Sequence, residues 1–109
     1  MPQTIRKFWP GPFQGRTALN FNWGAIDSDS VVLITASEYL HQNNPPPGTN
    51  LQRFVGGASI RVDNIAPHGP PFDNNHGVTF VVTVEWGSPL FIVTDITVLD
   101  NKPIETQTT

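Results

Sequence analysis

No cysteine occurs in the 109 residues, which excludes thiol catalysis, thiolate zinc sites and the disulfide frameworks of small secreted domains. Charge is scarce too. Only 14% of the residues are Asp, Glu, Lys or Arg, against about 25% in an ordinary soluble domain. Lys and Arg number 6, the net charge is −3, and the only adjoining cations are Arg6 and Lys7. A surface that tracks phosphates needs clustered positive charge, so nucleic acid is not an expected partner, and no polybasic patch is present to hold an anionic membrane. No apolar run reaches the length of a membrane span, and the N-terminal MPQTIRKFWPGPFQG has no continuous apolar segment. Neither a transmembrane helix nor a signal peptide is expected, and nothing indicates a compartment.

So few charges leave solubility to Asn, Gln, Ser and Thr. They also favour hiding surface in a subunit contact, whose centre is usually depleted of charge, so a homo-oligomer is expected. The length suits one domain that buries roughly two-thirds of its unfolded surface. With 9 Gly and 11 Pro, its loops must be long.

The chain is organised around Gly77 to Asp100, GVTFVVTVEWGSPLFIVTDITVLD. Val78, Phe80, Val82, Val84 and Trp86 share one strand face, and Ile92, Thr94, Ile96 and Val98 share one face of the next. The turn at Gly87, Ser88 and Pro89 makes a β-hairpin the expected arrangement. β-Branched residues dominate both arms, as a pleated surface favours.

Residues 1–16, with Pro2, Pro10, Pro12, Gly11 and Gly15, read as an extended arm that brings Phe8, Trp9 and Phe13 across the core or to a neighbouring subunit. Thr17 to Trp23 alternates as a strand with Leu19, Phe21 and Trp23 on the buried face. Ala25 to Ser30 is turn chemistry, and its DxD spacing invites a calcium reading but lacks the glycine and glutamate of a full calcium loop. Val31 to Ala36 is a continuous apolar run, expected as a strand buried on both faces, which Glu38 to His41 extend after a bend. Gln42 to Asn50 is a proline-rich loop. Leu51 to Ile65 reads as a strand with a bulge or close approach at Gly56-Gly57, and Ala66 to His76 as a second long loop. The expected fold is all-β, an antiparallel sandwich of about six strands over residues 17–100, with a tail at 101–109.

Candidate chemistry is sparse. His68, Asp73 and His76 fall within one loop and are plausible transition-metal ligands, but their spacing matches no zinc motif, and no metal or other cofactor is expected. Glu38, Glu85 and Asp95 are the carboxylates a glycoside hydrolase would have to pair, while Glu85 and Asp95 also read as charges that keep strands soluble and discourage edge pairing. No GxSxG elbow is present. Trp86, at a strand end beside a turn, reads either as core closure or as an aromatic face at a loop rim, where a ring and nearby polar groups can hold a polar ligand.

In order, SVVLITASEYL, NLQRFVGGASIRVDNIAP and GVTFVVTVEWGSPLFIVTDITVLD resemble the H-type lectin domain of snail agglutinins and discoidins over about Val31 to Leu99. The resemblance implies a six-stranded sandwich that trimerises and binds galactose- or N-acetylgalactosamine-type sugars at protomer contacts. It implies a sugar site drawn from Asp27 or Asp29, Arg53 and Trp86. Gly87 follows Trp86 where that family often has His, and the insertions at Asn44 to Gly48 and Pro70 to Asn75 depart from its pattern. The expected function is therefore a non-enzymatic, oligomeric carbohydrate-binding module. The alternatives are an assembly protein whose N-terminal arm docks on a neighbour and, third, a small metal-dependent enzyme.

Overall fold

The computed structural model describes residues 2–41 and 51–99. Seven strands run in order: β1 (Gln3–Phe8), β2 (Gly15–Asn22), β3 (Val32–His41), β4 (Leu51–Phe54), β5 (Ser59–His68), β6 (Gly77–Glu85) and β7 (Ile92–Val98). All pairings are antiparallel. They build a four-stranded sheet in the order β1-β7-β3-β4 and a three-stranded sheet in the order β2-β6-β5, packed as a sandwich. The all-β expectation is met with one strand more than anticipated. The loop expected at Gln42 to Asn50 and the tail at 101–109 lie outside the described residues. No described helix is long and apolar enough to cross a membrane.

β6 and β7 sit between neighbours in their sheets, and their sequences explain why. Val78, Phe80, Val82 and Val84 from β6 pack with Ile92, Ile96 and Val98 from β7 in one buried cluster with Trp9, Ile26, Val32 and Ile34. The residues of opposite parity, Val81 and Val93, are buried as well. Val93 belongs to the outer face, yet it is completely covered. β7 lies between β1 and β3, and the rings of Phe8 and Tyr39 on those two strands meet edge to face at 5.1 Å. They close over the strand between them, and Phe8 stands directly opposite Val93.

The expected hairpin does not form. β6 and β7 are consecutive and antiparallel in direction, but they belong to different sheets, and residues 86–91 carry the chain across the sandwich. Alternation shows which faces are apolar; it does not say which strand supplies the hydrogen bonds, and each of these two finds better-matched neighbours elsewhere. The same error splits the expected strand at Leu51 to Ile65. Gly56 and Gly57 lie in the crossing between β4 and β5, and the bulge occurs later, between Asp63 and Ala66, where Asn64 adopts φ 53°. Asn tolerates that left-handed backbone better than most residues.

One further expectation is corrected. β3 is buried on one face only, through Val32 and Ile34, because the outer side of its sheet is solvated and leaves Leu33 54% exposed. Residues 1–16 run across the core of their own chain, one of the two placements expected of that extended arm. β1 pairs with β7 over the whole register from Gln3↔Val98 to Phe8↔Val93, so the prolines flank a strand rather than prevent one. Trp9 then turns into the core, 5.9 Å from Phe80 in an edge-to-face contact, and its indole N–H donates to the buried Thr94 Oγ1 at 2.9 Å.

Candidate functional site

Three crossings between the sheets converge at one end of the sandwich: residues 9–14 from β1 to β2, 55–58 from β4 to β5, and 86–91 from β6 to β7. They are tied to one another. Phe13 and Leu90 exchange backbone hydrogen bonds of 2.9 Å, Trp9 N–H donates to Ile92 O at 3.1 Å, and the Gln14 side chain donates to Trp86 O at 3.2 Å. Trp86, Phe91, Phe54 and Val55 leave apolar surface exposed at this end, a concentration that a folded domain does not need for its core.

Trp86 is 48% exposed. One edge of its indole lies against Gly57, where an added Cβ would come within 2.8 Å of Cη2 and 2.9 Å of Cζ3. Glycine there lets the ring lie close to the backbone, while the remainder faces solvent. The residue before it, Glu85, forms an exposed ion pair with Arg61 across β5 and β6, on the strand face opposite the buried Val84. Glu85 is on the middle strand of its sheet and guards no edge.

A cleft of about 140 Å³ opens at the same end, lined by Ala36, Glu38, Phe54, Gly56, Ala58 and Ile60 among others. It exceeds the share of one water, about 30 Å³, but falls below the roughly 300–1,000 Å³ of an enclosed small-molecule pocket. A group at the edge of a larger ligand fits it better than a whole substrate. Glu38 stands opposite Ile92 and Phe54 in the register, which puts it on the inward face of β3 where the core ends. Its carboxylate lies over Gly56 and takes no hydrogen bond or ion pair from another described residue. The alternation Val32, Ile34, Ala36, Glu38 already carries that inward placement.

The anticipated site residues do not come together within one chain. Arg53 lies on the outer face of the four-stranded sheet, donating to Ser37 Oγ at 2.9 Å, Thr35 Oγ1 at 2.7 Å and Asp95 Oδ2 at 3.0 Å. Arg6 reaches the same carboxylate from the other side, at 2.7 and 2.9 Å. Asp95 is therefore a crosslink of β1, β7 and β4 on an interior strand, not an edge charge. The Arg6 hydrogen bonds hold its carboxyl below the usual carboxylate range, with Arg53 adding to the effect and partial burial opposing it. Because the folded-state value is depressed, the stabilisation is complete above the unfolded value of about 3.9 and is lost as pH falls through the folded value. Asp95→Ala is expected to cost about 1–2 kcal/mol at pH 7 and to flatten the loss of stability below about pH 4, as read by urea denaturation across pH. An unchanged acid limb would remove Asp95 as its source.

Asp27 and Asp29 lie in the β2–β3 connection, at the opposite end from Trp86. There the side chains brace loops. Asp27 N–H donates to Ser30 Oγ at 2.8 Å, and His76 Nδ1 contacts Ile26 O at 2.8 Å and Asp27 Oδ1 at 3.1 Å. His68 uses both ring nitrogens, against Asn75 O at 2.6 Å and Asn20 Oδ1 at 2.7 Å, and Asp73 stands off at 3.8 Å while accepting from Asn75 N–H. Among the described residues no three His, Asp or Glu side chains are placed to share a metal ion. Glu85 and Asp95 are each engaged by arginine, on different sheets. Comparison with known proteins finds no matching family model, no matching curated protein and no matching solved structure.

Proposed function

We propose that the protein is a non-enzymatic carbohydrate-binding module of lectin type, with its sugar site at the Trp86 end of the sandwich. The observation that carries this reading is the half-exposed indole of Trp86, held against Gly57 at the end of the sandwich where the Glu38 cleft opens. A sugar ring presents an apolar C–H face that suits an indole and hydroxyls that suit carboxylate and guanidinium groups. Glu38 accepts hydroxyl or amide hydrogens at the ligand's edge. The order of strand motifs along the chain supports a galactose- or N-acetylgalactosamine-type ligand, and a site built on Trp86 does not require Asp27 or Asp29 from the same subunit.

Binding is tested by a glycan array followed by calorimetry and a tryptophan fluorescence titration. Galactose-type ligands are expected to shift the emission, and Trp86→Ala to weaken binding at least tenfold with the fold retained. Folded wild-type protein that binds nothing on the array would end the sugar reading; sugar binding that survives Trp86→Ala would move the site elsewhere.

A further inference from the structure

Two open sheets present four edges, and three of these are guarded. β1 carries Arg6 and also Lys7, whose ammonium points inward over the Trp9 ring at 5.3 Å. β4 is four residues long. β5 breaks register between Asp63 and Ala66 and contains Pro67. Inward charges, short length, bulges and proline are the devices that keep an edge from pairing with another chain. β2 has none of them. It runs Gly15–Asn22 in unbroken register with β6, with Arg16 its single charge, and no other described strand pairs with it.

The direction of its free backbone groups follows from one hydrogen bond. Trp23 N–H donates to His76 O at 2.8 Å, one step beyond the register pair Asn22↔Gly77. Hydrogen-bonded and non-bonded pairs alternate along an antiparallel ladder, so Phe21, Leu19 and Thr17 also bond β6. Arg16, Ala18, Asn20 and Asn22 therefore aim their backbone N–H and C=O groups at the open edge. On the inward face, Leu19, Phe21 and Trp23 pack against the core but are only half-buried, and no further described strand continues the row beyond β2.

We infer that β2 pairs antiparallel with β2 of a second copy of this chain, across a two-fold axis at Leu19. Directly opposed residues share a sheet face, so the inward row of one copy continues into that of the other. The Leu19-centred register sets Arg16 opposite Asn22 and Ala18 opposite Asn20, engaging every outward backbone group named above. It brings no like charges face to face and sets Thr17 opposite Phe21 on the apolar side. The two three-stranded sheets become one continuous sheet. This inference is independent of the sugar reading.

The full-length protein at about 100 μM is expected to sediment and scatter light as a dimer. Ala18→Lys, which adds a cation beside the new pairing, is expected to raise the dissociation constant at least tenfold, whereas Val55→Lys, in the crossing that leads into β5 at the opposite edge of the same sheet, leaves it unchanged. Leu19 of each copy would form a non-hydrogen-bonded pair with Cα atoms about 4.5 Å apart, inside disulfide range. Since the chain has no cysteine, Leu19→Cys is expected to yield a disulfide-linked dimer on mild oxidation, and this decides the question even where Ala18→Lys fails to fold. A folded wild-type monomer overturns the inference, as does a dimer indifferent to Ala18→Lys that gives no Leu19→Cys crosslink. A monomer that dimerises only when residues 100–109 are removed assigns the edge to the chain's own tail and overturns it equally.

Discussion

Trp9→Ala is expected to lower the unfolding free energy by about 3–5 kcal/mol, a large share of the roughly 5–15 kcal/mol that holds a domain folded. Trp9 is buried where the first connection enters the sandwich and fills the space beside Phe80. Truncation removes the ring's contacts and opens a cavity that close-packed strands on both sides cannot collapse into. It also removes the donor to Thr94 Oγ1, a group with no solvent access. Trp9→Phe keeps most of the ring and loses the N–H, so its cost should be nearer 1–2 kcal/mol. Thr94→Val leaves the indole N–H without an acceptor and should cost a similar amount. The double substitution should cost less than the sum of the two, because neither polar partner is then stranded. Urea denaturation of the four variants measures the cycle. A Trp9→Ala loss below about 1 kcal/mol would mean that this end of the core relaxes freely.

Gly77→Ala is expected to cost about 2–3 kcal/mol, near the upper end for overpacking. Gly77 begins β6 between Asn22 and His68 in the register. A methyl group there meets the backbone of β2, at the carbonyl of Phe21 and at 2.8 Å from the Cα of Asn22, with the His68 ring at 3.0 Å on the other side. The ring can turn aside, but the backbone of a paired strand cannot without giving up ladder hydrogen bonds. Gly87→Ala is the control, since nothing lies within 4 Å of its added carbon. Equal stability of the two variants, measured by chemical denaturation, would refute steric crowding at Gly77.

Strand positions were largely legible in the amino-acid sequence because burial on one face imposes a period of two, and β2, β6 and β7 all carry it. Sheet membership was not. The GSP turn after Trp86 and the Gly56-Gly57 pair look like features within one sheet, yet both lie where the chain changes sheets, since a glycine that frees the backbone for a bulge serves a crossing equally well. Residues 1–16 read as an arm because three prolines suggest irregular chain, but Pro2 and Pro10 fall outside β1 and leave its ladder intact. At the candidate site, the strand end at Trp86 left core closure and a loop rim both open, and the half-exposed indole shows that it does not simply close the core. Glu38 appeared as an extension of β3 and as one of three carboxylates to be paired. What could not be read was distance: Asp27 and Asp29 lie at one end of the sandwich, Trp86 at the other, and Arg53 on an outer face, because convergence depends on sheet order.

The place of β7 in its sheet also bears on how the chain is made. β7 is the shared neighbour of β1 and β3, and its partner Gln3 lies at the far end of the chain from Val98. During synthesis from the N-terminus, β1 and β3 emerge long before the strand that joins them, so the edges that will meet β7 stay unpaired while the nascent chain lengthens, although β3 finds β4 soon after. The three-stranded sheet is complete once β6 has appeared, and until β7 follows its apolar face lacks the completed sheet that covers it. Closing so long a loop costs entropy before any contact repays it, so the final step is both slow and decisive. A ribosome that stalls between β6 and β7 would therefore leave half a sandwich, with the aggregation-prone surface outward and the protective layer still unread in the message.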